Sequence, residues 1–339
     1  MTYKLSFCIP TYNRSEYLID TINNIIPQIT DEVEIVISDN ASDDETQEMV
    51  SELMKKYDNI QYFRWDENMG ADLNYLKTVE LARGDYCWLL GSDDFIEDGA
   101  VKRILNEIEE GYDILLCSEY LCDLNMRPYQ IHHLLEENTE DSVYNFGDDN
   151  DLYKYFTLAQ SQSALFGYLS SIIFKRSKWN DIEYNQKYTG TLYSHMFMLY
   201  SFINKGCYLK YIKQPLVYWR GGNDSFGGPG KIQSRYLVDI HGFKMIMDDF
   251  FKDKKKILSA FKTVFRRHHP IKNIAYLRLN VRKNKDWKYI SSMLKNDYEY
   301  NGLQLAILSP SAARPILYLL FQVHRVLMKI QRTFFYVRK

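Results

Sequence analysis

Two adjacent carboxylates, Asp93 and Asp94, stand where the apolar run from Tyr86 to Leu90 gives way to Gly91 and Ser92. Side by side, each raises the cost of ionising the other. A divalent cation removes that repulsion, and hard carboxylate oxygens suit Mg2+ or Mn2+ bridged to phosphate. A solvated turn is the plainer alternative. Two further polar clusters end apolar runs: Pro10-Thr11-Tyr12-Asn13-Arg14 and Ser38-Asp39-Asn40-Ala41-Ser42. Ionised, Asp39 accepts hydrogen bonds, so it suits the N–H donors of a pyrimidine or a ribose hydroxyl, or else caps a helix. Asn68-Met69-Gly70, with Asn74 one turn later, opens a helix whose backbone N–H groups could meet an anion. Neither G-x-x-x-x-G-K-[ST] nor G-x-G-x-x-G occurs, so a phosphate here would be held by metal rather than by a glycine nest.

Positioning these groups requires a particular frame. LSFCIP (5–10), VEIVIS (33–38) and IQYFR (60–64) have the apolar, β-branched character of buried strands, and helical spacing fills the intervals. Repeated strand–helix–strand units predict an open α/β sheet, mainly parallel, with helices on both faces. Ligands of such sheets bind outside the carboxyl ends of the strands, which is where the three clusters fall. Residues 129–151 are acidic and turn-rich and predict a surface excursion. CYLKYI (207–212) and PLVYWR (215–220) predict two further strands. GGNDSFGGPG (221–230) predicts a loop and a boundary between a domain over 1–225 and a helical region over 226–339. Arg220, Asn223 and Asp224 at its start suit a lid over donor phosphates or acceptor, a linker being the alternative.

The chain has 339 residues and a formal net charge of −2, which conceals a division. From residue 251 onward there are 20 Lys+Arg against 4 Asp+Glu; the first 250 residues carry 22 against 40. Such a tail meets something anionic, either nucleic acid or a membrane leaflet. An acidic front and the lack of a nucleic-acid-binding module argue against the former. Residues 309–339 predict a basic amphipathic helix suited to a leaflet interface, or one packed on the rest of the chain. Five cysteines without zinc-site spacing suggest a reducing compartment, and no stretch reaches the ~18 apolar residues of a membrane span. The expectation is a cytoplasmic protein, at most resting on a membrane.

Taken in order, SFCIPTYNR, EIVISDNASDDET, ENMGADLNYLKTVELARGDYCWLLGSDD and YIKQPLVYWR resemble the family 2 glycosyltransferases of GT-A fold over roughly residues 3–225. The resemblance implies a nucleotide-diphosphate-sugar site. Thr11, Tyr12, Asp39 and Asn68 would line the nucleoside, with Pro10, Asn13, Gly70, Asn74 and Ser92 beside them. Asp93 and Asp94 would form the metal-binding DxD-type motif, Asp94 counting as catalytic. The family usually has an aspartate where Gly91 stands, and its inverting members have a base aspartate where His195 stands. A neutral imidazole with a pKa of ~6.5 can take a hydroxyl proton. His195 could instead ligate metal, position substrate, or simply pack at a helix start. His132-His133 and His268-His269 have no partners at metal-ligand spacing and receive no role. YLSSIIF, YTGTLYSHMF and RGGNDSF resemble the abequosyltransferase-like branch of O-antigen synthesis, implying a CDP-activated 3,6-dideoxyhexose and a polyprenyl-diphosphate-linked acceptor at the inner face of the bacterial inner membrane. Another sugar nucleotide, a non-catalytic sugar-nucleotide-binding module and a nucleotidyltransferase are the competing expectations.

Overall fold

The run LSFCIPT forms β1 (Leu5–Thr11), buried along its whole length as a strand covered on both faces must be. Phe7 and Ile9 point to one layer, with Leu18, Ile22, Val50 and Ile104; Cys8 points to the other, with Val79 and Leu116. The computed structural model describes residues 3–223, 231–281 and 283–309, together with 318, 319 and 322.

Strands β2 (Val33–Asp39) and β4 (Tyr86–Leu89) flank β1 in parallel, and β3 (Ile60–Arg64) lies outside β2, also parallel. Helices α1 (Ser15–Ile25), α2 (Thr46–Met54) and α3 (Ala71–Leu81) make the crossovers. The chain continues through β5 (Phe95–Ile96), α4 (Ala100–Glu109), β6 (Ile114–Cys122), β7 (Pro128–His132), β8 (Ser142–Asn145) and α5 (Asp149–Leu158). There follow β9 (Ile172–Lys175), α6 (Arg176–Asn180), α7 (Ser194–Asn204) and β10 (Tyr208–Arg220). The sheet runs β3-β2-β1-β4-β9-β6-β10-β5, with β7 on β6 and β8 on β10.

Three features differ from the sequence reading. β9 is antiparallel to both β4 and β6, so the sheet is mixed. The predicted surface excursion contains β7 and β8, which are only five and four residues long and too short for an apolar period to betray them. The two strands expected over 207–220 are one, because register shifts on either side of Pro215 absorb the missing N–H.

Five helices complete the described chain: α8 (Lys231–Ile246), α9 (Lys255–His268), α10 (Ile271–Asn280), α11 (Asn284–Asn296) and α12 (Gly302–Leu308). They share a core with the α/β part: Ile240, Phe243 and Phe261 pack in one cluster with Tyr155, Phe156 and Tyr200. Gly242 lets α8 approach the start of α7, since a Cβ there would lie 2.0 Å from the Tyr193 ring. Among the described residues no helix is long and apolar enough to cross a membrane. The amphipathic helix expected over 309–339 lies almost wholly outside the described residues.

β1, β2, β4 and β10 all end on one edge. Thr11, Asp39, the turn at Gly91 and Arg220 therefore meet there.

Candidate active site

Outside the ends of β1 and β2 lies a pocket of about 470 Å3, lined by Pro10, Thr11, Tyr12, Asn40, Asn68 and Ser92 among others. Two of its groups stand ready for a ligand. Thr11 Oγ1 is buried without a hydrogen-bond partner, and the Tyr12 ring is 45% exposed on a surface where large apolar groups are normally covered. The turn before α3 is prestressed by side chains. Asn40 Oδ1 accepts from Met69 N–H at 2.8 Å, Asn68 Oδ1 accepts from Gly70 N–H at 2.9 Å, and Asn40 Nδ2 donates to Asn68 Oδ1 at 2.8 Å. Gly70 has φ +84°, which explains the glycine. These bonds take the Met69 and Gly70 N–H groups, so of the N–H groups expected to meet an anion at this junction those two are already engaged.

Asn74 and Asp39 serve the frame. Asn74 Nδ2 donates to the carbonyls of Thr11 and Ser38, and its Oδ1 accepts from Ser38 Oγ and Trp65 Nε1, so it ties α3 to β1 and β2. Asp39 is fully buried and does not line the pocket. It accepts from Ser42 N and Oγ and from Tyr62 OH, with Arg64 Nε 3.8 Å away. Its carboxylate shapes the wall on which Asn40 stands. Asn13, with φ +51°, lies just outside, its Oδ1 accepting from Asp43 N–H.

Asp93 occupies the inner end of this pocket and is partly exposed. Arg14 Nη1 pairs with its Oδ2 at 2.7 Å, and Asn223 Nδ2 donates to the same oxygen at 2.9 Å. Arg14 Nη2 also donates to the Asn223 carbonyl, so the start of the glycine-rich loop is fastened to the acid. Asp224 lies outside the described residues. Arg220 donates through Nε to the Asp93 carbonyl and is held between the Tyr17 and Phe95 rings, each 5.1 Å from its guanidinium.

Asp94 points the other way. Tyr168 OH and Ser170 Oγ donate to its Oδ2 at 2.7 and 2.5 Å, and Arg220 N–H donates to Oδ1 at 3.0 Å. Burial, with the neighbouring Asp93 second, lifts its pKa to about 7 against these bonds. The expected metal pair is thus divided into a partly exposed acid and a buried one that borders the cleft with both its oxygens taken by donors of the wall. Gly91 follows from this arrangement, because a Cβ there would lie 2.8 Å from Asp94 Oδ2 and 3.3 Å from Asp93 Oδ1.

Among the described residues no three His, Cys, Asp or Glu side chains form a metal cage. One carboxylate at the cleft still fits Mg2+ or Mn2+, which commonly bind one or two carboxylates with substrate phosphates completing the set.

Asp93 and Arg14 also line a second cavity of about 430 Å3, between β7, β10 and the C-terminal helices. Its walls carry His132, Arg235, Asp239, His268 and His269, the last four more than a hundred residues from every group lining the first cavity. Asp239 accepts from Tyr193 OH at 2.5 Å and pairs with Arg235 at 3.3 Å. The cleft is therefore bipartite, with the Arg14–Asp93 pair at its waist.

His195 does not reach either cavity. It is 2% exposed, with Nε2 2.9 Å from the Phe166 carbonyl and Nδ1 without a partner. Burial pushes its pKa down to about 4, the Phe166 carbonyl opposing. Asp72, absent from the sequence reading, sets the start of α7: its carboxylate accepts from Leu192 N–H at 2.9 Å and Ser194 N–H at 3.0 Å. No local spacing could have revealed a cap supplied from more than a hundred residues away. Arg14 and Asn40 were visible inside polar clusters, but their partners were not.

Residues 6–174 match the family described as Glycosyl transferase family 2. Abequosyltransferase RfbV of Salmonella typhimurium is 38% identical over 270 residues, spanning 78% of this chain and 81% of that protein. Among solved structures, S. aureus TarS 1–349 in complex with UDP-GlcNAc superposes with a TM-score of 0.61 at 17% identity, covering 93% of this chain and 86% of that one. The mannosyltransferase PcManGT of Pyrobaculum calidifontis, in complex with GDP-Man and Mn2+, gives 0.56 at 16% identity, covering 98% and 84%. The structural likenesses concern the fold.

Proposed function

Because the chain belongs to glycosyl transferase family 2 and is a glycosyltransferase of GT-A fold, we propose that its bipartite cleft joins a nucleotide-sugar donor to a lipid-linked acceptor. The observation that carries this reading is the waist, where one guanidinium and one carboxylate separate two cavities of similar size. The donor's nucleoside enters the first cavity, its base on the Tyr12 ring and a hydroxyl on Thr11 Oγ1. Its diphosphate comes beside Arg14, and the sugar points across the waist.

Transfer breaks the bond between the anomeric carbon and the diphosphate, and the electron pair leaves with the phosphate oxygen. Arg14 is preorganised to meet the charge that develops there, which is where fixed cations contribute most. A divalent ion, Mn2+ or Mg2+, held by Asp93 and the donor's diphosphate, would supply further stabilisation of the same charge. Asp94 positions rather than reacts: through Tyr168, Ser170 and the Arg220 backbone it fixes the wall behind Asp93. Arg220 and Asn223 hold the strand end and loop start against the same acid.

The likeness to an abequosyltransferase supports a 3,6-dideoxyhexose such as abequose, delivered from its CDP-sugar to a polyprenyl-diphosphate-linked oligosaccharide in O-antigen or related surface-polysaccharide synthesis. Such an acceptor places the enzyme at the cytoplasmic face of the inner membrane. The excess of basic residues beyond 251 supports that location, since each near an anionic leaflet adds about 1 kcal/mol. Exposed Leu303 and Ile307 on α12 add apolar contact close to the tail.

The test is transfer from CDP-abequose, against UDP-, GDP- and dTDP-sugars, to a polyprenyl-diphosphate oligosaccharide in the presence of Mn2+, read by mass spectrometry of the lipid product. The reading predicts sugar addition with the CDP donor and loss of vesicle binding on deleting 309–339. Selective transfer from a different sugar nucleotide would overturn the donor assignment.

A further inference from the structure

An acceptor hydroxyl must lose its proton as its oxygen bonds to the anomeric carbon, and the residue at the family's usual base position, His195, is shut away from the cleft. The second cavity offers other proton acceptors. Asp93 is paired with Arg14, buried Asp94 accepts from Tyr168, Ser170 and the Arg220 N–H, and Asp239 is committed to Tyr193 and Arg235. His268 and His269 lie buried at the end of α9, and burial pushes both down, His268 to about 3. His132 differs from all of these. It sits on β7 at the cavity wall, its side chain 20% exposed, with Nδ1 2.5 Å from Oε1 of the fully buried Glu119.

We propose that His132, oriented by Glu119, is the general base for the acceptor hydroxyl. The inference rests on the glycosyl-transfer reading and deepens it. Glu119 and His132 are register partners across the antiparallel β6/β7 pair, so their side chains share a face. Ser163 Oγ also donates to Glu119 Oε1, at 3.1 Å, fixing the carboxylate. An ionised carboxylate only accepts, so the proton belongs on Nδ1 and the Nε2 lone pair is left to act. A third group holding the imidazole and compensating its charge is the arrangement by which a histidine base is activated.

In the step, the acceptor O–H bond breaks and its proton passes to His132 Nε2. The oxygen pair forms the new bond to the anomeric carbon, and the old bond's pair departs with the nucleoside diphosphate. The imidazolium formed faces Glu119 from β6 and returns its proton to solvent. Across the cavity stand His268 and His269 from the end of α9, Arg235, Tyr236 and Asp239 from α8, Asp93 and Arg14 from the waist, Asp94 beside them with Tyr168, and Arg220 from β10.

The experiment compares pH–rate profiles of full-length wild type, His132→Gln, His132→Ala and Glu119→Gln, using CDP-abequose, Mn2+ and a polyprenyl-diphosphate oligosaccharide. Titration of CDP with Mn2+ reports folding and donor binding. His132→Gln should lose about 10²–10⁴-fold in kcat, as general-base catalysis is typically worth. Its donor KM should stay near the wild-type value, and the acidic limb of the profile should vanish. Added imidazole should restore part of the His132→Ala rate. Glu119→Gln should lower kcat while keeping an acidic limb, because the imidazole remains but has lost the carboxylate that orients it. A His132→Ala enzyme that turns over within threefold of wild type with the acidic limb intact overturns the base assignment and leaves glycosyl transfer standing. A folded wild type that transfers from no sugar nucleotide overturns both.

Discussion

Restoring the family's usual aspartate at position 91 should damage this enzyme. Gly91 has ordinary backbone torsions, so space alone decides the outcome. An added Cβ would meet Asp94 Oδ2 at 2.8 Å, and that oxygen cannot retreat without leaving Tyr168 OH and Ser170 Oγ. Gly91→Ala therefore carries an overpacking cost of about 1–3 kcal/mol. Weakening a hydrogen bond to a charged acceptor adds about 1.5–3 kcal/mol if Asp94 yields. We expect Gly91→Ala to lower stability by about 2–4 kcal/mol, read as a fall in the guanidinium midpoint at constant slope. Gly91→Asp should cost more, because it places a third carboxylate between Asp93 Oδ1 and Asp94 Oδ2. Transfer rate should fall in both variants as the wall behind Asp93 shifts. A Gly91→Asp protein as stable as wild type, or one that binds Mn2+ more tightly without donor, would refute the reasoning.

Other perturbations separate the roles. Arg14→Ala should lower kcat/KM about 10–100-fold, from the ~1.5–3 kcal/mol of a charge-assisted bond. Arg14→Lys should recover little of it, since an ammonium cannot serve Asp93 and Asn223 through one planar fork; steady-state kinetics with varied donor checks both. His195 stays neutral in the folded protein down to about pH 4, whereas the unfolded chain protonates it near 6.5. It therefore withdraws stability as pH falls through that window, up to ~3 kcal/mol. His195→Gln should flatten that part of the stability profile in denaturant melts at pH 7.5 and 4.5 and leave the acidic limb of the rate profile in place. Parallel melts, or a lost limb, would contradict it. Asp72→Ala strips two N–H partners from the start of α7 and should cost about 1–3 kcal/mol in the same melts.

The first half of the fold was legible because short-range pattern and structure agree there. Alternating or continuous apolar runs mark β1 to β4, helical spacing marks the crossovers, and Asp/Asn clusters mark the strand ends. β7 escaped because Pro128–His132 is short and has no fully buried residue, and its pairing with β6 is settled by register rather than by any apolar period. Pro215 disguised one strand as two. The polar residues gathered at the strand ends were legible as residue types, yet their direction was not. Sequence cannot say that Asp93 stays partly exposed while Asp94 is buried and bonded into the wall, since that depends on Tyr168 and Ser170, more than seventy residues distant. The histidines follow the same rule: His195 drew attention by its place in the family pattern, whereas His132 had no local partner at all. Its carboxylate comes from the neighbouring strand.

The central claim is that a nucleotide sugar spans the waist, with its diphosphate at Arg14 and Asp93. Its most direct test is a crystal structure of the full chain with CDP-abequose and Mn2+. The account predicts the cytosine ring on Tyr12, the metal on Asp93 and the diphosphate oxygens, and the sugar opening into the cavity of His132. A donor bound elsewhere, or one lying in the cleft with Asp93 still closed on Arg14 and no metal beside it, would contradict the account.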